Sequence, residues 1–212
     1  MIPDLLRYKK DQSYILFDLE TECVNLAHLN LPWQAGYVVR RGDNIIKVVN
    51  DYIKWDNLNI SPDAARITKF DIQKYESLAK PALQVLHDLE VYLNDEEYIV
   101  LTHNGNNFDF YLYQLWRKKL GLAPNWSFLK RSIDTNSLSK AYQLGIKTFN
   151  RVDGYSEGLK YTNYIQKGLK SSLGKMAKDL GVECDESNLH DAEFDTIINW
   201  GVWNKLKWLI EI

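Results

Sequence analysis

The sequence has few cysteines, little glycine and proline, and no long apolar run. Among its 212 residues only Cys23 and Cys184 are cysteines, too few for a disulfide framework or a cysteine zinc site. The 11 glycines and 5 prolines exclude collagen-like and low-complexity chains. No apolar stretch approaches the roughly 18–20 residues of a membrane span, and residues 1–12 lack the layout of a signal peptide. We therefore expect a globular protein of a reducing, cytoplasmic compartment, without a membrane partner.

The sequence also lacks a strong net charge, but its charges are unevenly distributed. The whole chain carries −2 at neutral pH. Residues 117–178 hold thirteen lysines and arginines against three acids, a net charge of +10, which leaves −12 for the rest of the chain. Aromatic residues alternate with these basic residues, as they do on surfaces that bind single-stranded nucleic acid. The pattern favours contact with nucleic acid, and a solvated basic face over packed tyrosines is the alternative.

Hydrophobic patterns predict one α/β domain over residues 1–212, with a mixed central sheet flanked by helices. Residues 60–73 are interpreted as a loop with a short helical turn, and residues 151–168 as a long loop. Apolar runs predict strands at residues 14–18, 33–40, 45–50, 98–102 and 129–133. Apolar spacings of three and four predict helices from residue 80, at 108–120 and 135–144, from residue 171 or 172 to 180, and from near residue 191. The last helix is expected to bury Phe194, Ile197, Ile198, Val202, Leu206 and Leu209.

Two acidic residues end the first predicted strand, directly after its apolar residues. Asp18 and Glu20 are separated by one residue, so their side chains project from the same face of the strand. Burying two like charges side by side is costly unless a cation holds them. The pair therefore indicates a cation site, and a polar strand end is the simpler alternative.

Asp109 and Asp195 are two further acids beside core positions of predicted helices. Asp109 follows Phe108 at a helix start, where its alternative role is to complement the helix dipole. His190 precedes Asp195 by five positions, about 140° on a continuous helix, so it can join Asp195 only from the preceding loop. A surface or capping histidine is the alternative there. Together the four acids favour a shared site for a hard cation such as Mg²⁺ or Mn²⁺.

Three segments carry a resemblance to a known nuclease family. They are YILFDLET at residues 14–21, LTHNGNNFDF at residues 101–110 and LHDAEFDT at residues 189–196. Their order and separation resemble the three motifs of the DEDD exonucleases, the DnaQ-like group with a ribonuclease H-like fold. The resemblance runs from about residue 14 to residue 206, and further similar segments lie at residues 60–68, 133–135 and 172–182.

The third motif is similar to that of the histidine subclass of this family. His190 stands five residues before Asp195, whereas the tyrosine subclass would place a tyrosine at position 191, which is Asp191 here. The second motif has Asn104 five residues before Asp109 and resembles the HNG-type motif of the three-prime repair exonucleases. The proline-rich segment of those enzymes has no counterpart in this sequence.

The resemblance implies a 3′–5′ exonuclease that hydrolyses the terminal phosphodiester of single-stranded DNA and releases nucleoside 5′-monophosphates. It further implies that His190 takes a proton from the attacking water. Two divalent cations, Mg²⁺ or Mn²⁺, would be held by Asp18, Glu20, Asp109 and Asp195. The residues implied to contact the terminal nucleotide are Leu19, Thr21, His103 and Asn104.

The basic segment gains a role from this resemblance. We expect the incoming strand to follow residues 151–170, where positive charge attracts phosphates and aromatic rings stack on bases. The contacts are expected from Tyr155, Lys160, Tyr161, Tyr164, Lys167 and Lys170.

Three other functions remain open at this point. One is a 3′–5′ exoribonuclease of the same superfamily, since the choice of sugar rests on a few contacts to the 2′-hydroxyl. Another is a non-catalytic nucleic-acid binding module, against which the presence of all four acids and His190 counts. The third is a proofreading subunit whose polymerase or replication partner lies on another chain.

Overall fold

A computed structural model describes residues 4–26 and 30–212 of the chain. Within these ranges, six strands form one mixed sheet in the order β4-β3-β2-β1-β5-β6. An antiparallel meander of β1, β2 and β3 is continued by β5 and β6, which run parallel to β1. The strands are β1 (Ser13–Thr21), β2 (Pro32–Arg41), β3 (Asn44–Lys54), β4 (Lys80–Pro81), β5 (Tyr98–Thr102) and β6 (Ser132–Asp134). The predicted α/β class with a mixed central sheet is confirmed.

Eight α-helices lie in the described ranges, and they cover both faces of the sheet. They are α1 (Pro62–Thr68), α2 (Ile72–Leu78), α3 (Ala82–Leu93), α4 (Asp109–Lys119), α5 (Thr135–Gln143), α6 (Gly154–Thr162), α7 (Leu173–Asp179) and α8 (Ala192–Leu209). None of the described helices combines the length and the apolar character that crossing a bilayer requires.

Two predicted loops turn out to be helical. Residues 60–73 contain α1 and the start of α2, each of seven residues and therefore too short to show a clear apolar period. Residues 151–168 contain α6, whose glycines suggested a loop. Gly154 and Gly158 instead allow close packing, because added Cβ atoms would lie 2.0 Å from the Ser132 carbonyl oxygen and 2.6 Å from Asn106 Nδ2.

Two smaller predictions are also corrected. Residues 129–131 form a 3-10 turn, so the strand predicted at 129–133 is reduced to β6. On α8, Ile197 and Leu209 are 44% and 42% exposed, although the sequence predicted them to be buried. The buried apolar side chains of α8 are instead Ala192, Ile198, Trp200, Val202, Trp203 and Leu206.

The alternation of side chains along β1 determines which face of the sheet carries the acidic residues at its end. Tyr14 and Leu16 pack in the core that α5, α7 and α8 cover. Ile15, Phe17 and Leu19 pack in the opposite core, beneath α3 and α4. Since the side chains alternate, the next even-numbered residues of β1 continue the face that α8 covers.

Gly36 of β2 lets the start of α8 approach the sheet closely. It is paired with Asp18 of β1. A Cβ atom at this position would lie 2.2 Å from the carbonyl carbon of Ala192 and 2.4 Å from the backbone nitrogen of Glu193. These neighbours are backbone atoms, so α8 would have to move away to admit a side chain. The glycine therefore holds the first turn of α8 next to the end of β1.

Candidate metal and catalytic site

The predicted acids and the histidine come from three separate chain segments. Asp18 and Glu20 lie on β1, Asp109 is the first residue of α4, and Asp195 lies in the first turn of α8. His190 stands in the loop just before α8, as the spacing of the sequence requires.

Hydrogen bonds and short distances join these segments into one site. The backbone N–H of Leu19, between the two acids of β1, donates to Asp109 Oδ1 at 3.0 Å. The backbone N–H of His190 donates to Asp195 Oδ2 at 3.2 Å. Glu20, His190 and Asp195 each offer one ligand atom, and the three atoms lie within 4.8 Å of one another. The site therefore spans the end of β1 and the starts of α4 and α8.

Burial and mutual repulsion shift the pKa values of all four carboxyl groups upward. Burial, with the charges of Asp109 and Glu20 beside it, raises the pKa of Asp18 well above its usual range. Burial and the charge of Asp195 do the same to the pKa of Glu20. Burial raises the pKa of Asp109 and that of Asp195 to about 7, against the hydrogen bonds from Leu19 and His190. Without a positive partner, the cluster retains protons near neutral pH.

The chemistry of the cluster fits divalent cations. Asp195 Oδ1 is buried and has no hydrogen-bond partner among the described residues. Glu20 is only 9% exposed. Carboxylate oxygens are the ligands that Mg²⁺ and Mn²⁺ prefer, and a bound cation allows closely spaced acids to ionise together.

Asp134 holds the turn that precedes Asp109, a role that sequence reasoning missed. Its carboxylate accepts hydrogen bonds from the backbone N–H groups of Asn104 at 2.9 Å and Asn106 at 3.1 Å. It also caps α5 by accepting from the N–H of Asn136 at 2.9 Å. Asn104 adopts a left-handed φ of 72°. The hydrogen bonds from the N–H groups of Asn104 and Asn106 to Asp134 stabilise this backbone conformation. The only sequence signal was the similarity of residues 133–135 to a family segment.

His103 and Asn104 adjoin the site but are held by neighbouring residues. His103 Nδ1 lies 2.9 Å from Thr135 Oγ1, and burial lowers the pKa of His103 to about 4. The side chain of Asn104 accepts from Asn107 Nδ2 at 3.3 Å. His103 is therefore a neutral ring at physiological pH.

Thr21 and Leu19, the other two residues implied to contact a terminal nucleotide, also have internal partners. The hydroxyl of Thr21 contacts Asn30 Oδ1 and lies 3.2 Å from the carbonyl oxygen of Leu31. Leu19 is buried under α3 and α4, and its N–H bonds to Asp109. Contact of these four residues with substrate stays a prediction.

His190 is exposed and adopts a left-handed φ of 68°. Its loop is tied to the end of α1, because Lys69 Nζ donates to the carbonyl oxygen of Ser187. Partial burial and the nearby positive charge of Lys69 lower the pKa of His190 below its usual 6.5. His190 lines two cavities, of about 410 and 370 Å³. A neutral imidazole accessible from solvent is suited to accept a proton.

Asp191 is a second residue whose role the sequence did not reveal. It caps α8 by accepting from the N–H of Phe194 at 3.1 Å, and it also accepts from Gln34 Nε2 of β2 at 3.2 Å. Its charge contributes to the raised pKa of Asp195. An aspartate directly before an apolar helix is a common N-cap, and this signal was present in the sequence.

The structure divides the residues of the predicted strand track into two groups. Tyr155 and Tyr161 pack partly against the two cores, and Lys160 pairs with Glu157 at 2.5 Å. Tyr164, Lys167 and Lys170 are exposed. Tyr164, Lys167 and Lys170 are thus accessible to a ligand. Contact of either group with a nucleic-acid strand stays a prediction.

No protein-family model matches the sequence, and no curated protein matches it significantly. Solved structures do match it. A zinc-bound form of an E. coli ExoI–ssDNA complex has a TM-score of 0.72 and 19% identity, with 93% of this chain and 41% of that chain covered. The fold is similar to that of the matched part of exonuclease I.

Other exonuclease I structures agree with this match. E. coli exonuclease I in complex with a dT13 oligonucleotide has a TM-score of 0.71 and 18% identity, over 92% of this chain and 41% of that one. The complex with dA16 has a TM-score of 0.70 and 17% identity, over 93% and 41%. The predicted ribonuclease H-like exonuclease fold is confirmed, and the chain spans about two fifths of the length of these exonuclease I chains.

Proposed function

We propose that this protein is a metal-dependent 3′–5′ exonuclease of the DEDD type and the histidine subclass. It would release nucleoside 5′-monophosphates from single-stranded DNA. The observation that carries the proposal is the convergence of four carboxyl groups and His190 at one site on an exonuclease I fold. The resemblance of residues 101–110 to the three-prime repair exonucleases supports the same activity. We also propose that residues 1–212 form a single exonuclease domain.

The four acids would hold two divalent cations, Mg²⁺ or Mn²⁺. Ligand atoms of Glu20, Asp195 and His190 lie within 4.8 Å of one another. Asp109 accepts a hydrogen bond from the backbone N–H of Leu19, which lies between Asp18 and Glu20. When bound, the cations lower the pKa of a water molecule and stabilise negative charge on the leaving 3′ oxygen. The chain's part is to keep the carboxylates in place, and the hydrogen bonds from Leu19 and His190 do this for Asp109 and Asp195.

His190 would act as the general base. Because its pKa is lowered, the ring is neutral at pH 7 and its free nitrogen can accept a proton from water. Its backbone N–H holds Asp195, so the ring stays beside the carboxylates while the proton moves.

The substrate proposal rests on the neighbouring structures and on charge. The matched exonuclease I structures include complexes with single-stranded DNA. The net +10 of residues 117–178 supports binding of a polyanion. Leu19, Thr21, His103 and Asn104 would surround the terminal nucleotide. Both cysteines are free, which fits the reducing, cytoplasmic location that we propose.

A labelled-strand assay tests the proposal. A 5′-labelled oligonucleotide, as DNA and as RNA, is incubated with Mg²⁺ or Mn²⁺ and the wild-type protein, Asp18→Asn or the matched control Asp56→Asn. Asp56 is an exposed acid outside the site. We expect the DNA to shorten from its 3′ end with the wild type and with Asp56→Asn, and to stay intact with EDTA or with Asp18→Asn. Intact strands in every lane, or cleavage by Asp18→Asn, would overturn the proposal.

A further inference from the structure

Two aromatic side chains, Tyr111 and Trp126, lie together at the surface beside the start of α4. They are 47% and 42% exposed. Their rings meet edge to face, with centroids 6.3 Å apart and an angle of 75° between the planes. Neither residue belongs to the acidic cluster. Tyrosine and tryptophan are enriched at binding surfaces, because each combines a large apolar ring with a polar group.

The loop that carries Trp126 is fixed to α4 on both sides of the ring. Before it, the backbone N–H of Asn125 donates to Gln114 Oε1 at 3.0 Å, and Gln114 Nε2 donates to the carbonyl oxygen of Asn125 at 2.6 Å. After it, Phe128 is fully buried and packs against Phe110 with centroids 5.2 Å apart. A ring whose backbone is already held in place loses little conformational entropy when a ligand stacks on it.

Positive charge accompanies the aromatic pair. Lys118 follows Tyr111 by seven residues on α4, almost two full turns, so both lie on the same side of the helix. Lys118 and Lys130 are exposed and form no ion pair with any residue that the structure describes. Both belong to the basic segment 117–178. Aromatic rings beside lysines fit single-stranded nucleic acid, whose bases stack on rings and whose phosphates attract cations.

The aromatic pair also lies between the acidic cluster and the predicted strand track. Tyr111 follows Asp109 by two residues, about 3 Å along the axis of α4 and on the opposite side of the helix. It adjoins α6 as well, since burial and the neighbouring phenol of Tyr111 raise the pKa of Tyr155. A strand that leaves the cluster across the start of α4 would therefore pass Tyr111 and Trp126.

We propose that Tyr111 and Trp126 form a stacking site for a base of single-stranded nucleic acid, on the 5′ side of the nucleotide that is removed. Lys118 would meet a neighbouring phosphate. The choice of nucleic acid as the ligand rests on the proposed function. Since every base offers a flat ring, the site would hold the strand without selecting its sequence.

Binding of labelled oligo-dT tests the site without cleavage. Fluorescence anisotropy in Ca²⁺ compares the wild type with Trp126→Ala, Trp126→Phe and the control Trp208→Ala. Trp208 is likewise exposed and meets Tyr8 edge to face at 5.9 Å, so it matches Trp126 in geometry but lies outside the basic segment. We expect Trp126→Ala to weaken binding at least about fivefold, whereas Trp126→Phe, which keeps a ring, and Trp208→Ala should stay within about twofold of the wild type.

An oligonucleotide with abasic residues separates stacking from charge, because it keeps the phosphates and offers no ring. We expect the wild type to bind this strand more weakly than oligo-dT. Trp126→Ala should bind it with the affinity of the wild type, since no stacking remains to be lost.

Four results would overturn the stacking site. One is oligo-dT binding by Trp126→Ala equal to that of the wild type, which would leave the aromatic pair to a protein partner. Another is an equal loss in Trp208→Ala. The third is a loss in Trp126→Ala that is as large on the abasic strand, and the fourth is a wild type that does not bind oligo-dT. If the wild type binds but does not cleave in Mg²⁺, the nuclease proposal fails and the stacking site stands.

Discussion

At the scale of single residues, the buried carboxyl groups couple protonation to stability. The pKa of Asp109 is about 7 in the folded protein against an ordinary 3.8. Between these values the folded state binds more protons than the unfolded state, so this residue's contribution to the free energy of unfolding falls as pH rises. His103, with a pKa lowered to about 4 from 6.5, acts in the opposite direction over its own range. A comparison of variants is needed to separate the contributions of Asp109 and His103 to the pH dependence of stability.

Asp109→Asn isolates the contribution of this carboxyl group. The amide oxygen can still accept the hydrogen bond from Leu19, but the buried charge is gone. In EDTA, we expect the stability of the variant relative to the wild type to rise by about 1–3 kcal/mol between pH 5 and pH 8. Mg²⁺ should stabilise the wild type more than the variant at pH 8. Urea unfolding at both pH values measures this, and a relative stability independent of pH would contradict it.

A second prediction at this scale concerns Asp134. It is buried and accepts from the backbone N–H groups of the turn before Asp109 and of α5. In Asp134→Asn an NH₂ group would face some of these donors, so we expect a loss of about 2–4 kcal/mol in unfolding free energy. Mn²⁺ binding should also weaken, because the turn holds Asp109.

The control for Asp134 is Asp153→Asn. Asp153 caps α6 at the surface, and asparagine caps helices about as well as aspartate does. Denaturant unfolding should therefore show a change below about 1 kcal/mol. Equal losses in the two variants would refute the special role of Asp134.

These residues show which parts of the site the sequence could predict. Asp18 and Glu20 were recognisable because acids follow directly on a buried strand, and His190 because its spacing from Asp195 required a loop. The role of Asp134 was not recognisable, since it depends on backbone N–H groups about 30 residues away in the chain, which only the fold brings close. Hydrogen bonds between a side chain and a distant backbone group cannot be predicted from the pattern of residue types alone.

At the scale of secondary-structure elements, the approach of α8 to β2 decides where Asp195 lies. We expect Gly36→Ala to cost about 1–3 kcal/mol in stability, since its Cβ atom meets the backbone of α8. Displacing α8 should also weaken Mn²⁺ binding, because Asp195 moves away from Glu20. Calorimetric Mn²⁺ titration and urea unfolding measure the two effects.

Gly201→Ala, on α8 itself, is the matched control. Its Cβ atom would lie 2.5 Å from Cγ1 of Val182, so the loop after α7, and not the sheet, would have to shift to admit it. The alanine also favours the helix. Mn²⁺ affinity should therefore remain at the wild-type value. If Gly36→Ala bound Mn²⁺ like the wild type, the close approach of α8 would not be what positions Asp195.

The elements differ in how well the sequence predicted them. β1 was predictable as a short continuous apolar run that ends in an acid, and α4 because its apolar residues recur at helical spacing and a glycine follows its end. In α6, by contrast, the two glycines are typical of a loop in the sequence, whereas in the structure they permit contact with β6 and with Asn106. A glycine that is needed for packing cannot be distinguished from a glycine in a turn until the neighbouring element is known.

At the scale of the whole molecule, the separation of charge predicts how DNA binding depends on salt. The predicted track along residues 151–170 belongs to the basic segment 117–178, while the rest of the chain is acidic. Lys167 and Lys170 are exposed, whereas Lys160 pairs with Glu157. Each phosphate contact to single-stranded DNA contributes about 0.7 to the slope of log K against log salt. Lys160 should contribute least to this slope, because a DNA phosphate would have to compete with the Glu157 carboxylate for its ammonium group.

Neutralising Lys160, Lys167 and Lys170 to methionine should therefore reduce that slope by about 1.4 to 2. The control replaces three exposed lysines outside the segment, Lys10, Lys54 and Lys205. Fluorescence anisotropy of a labelled oligo-dT measures both variants between low and physiological salt, in Ca²⁺ or EDTA to prevent cleavage. A slope unchanged in the triple variant, or reduced equally in the control, would mean that the strand does not follow residues 151–170. The basic segment would then be a solvated face, the alternative that its packed Tyr155 and Tyr161 also allow.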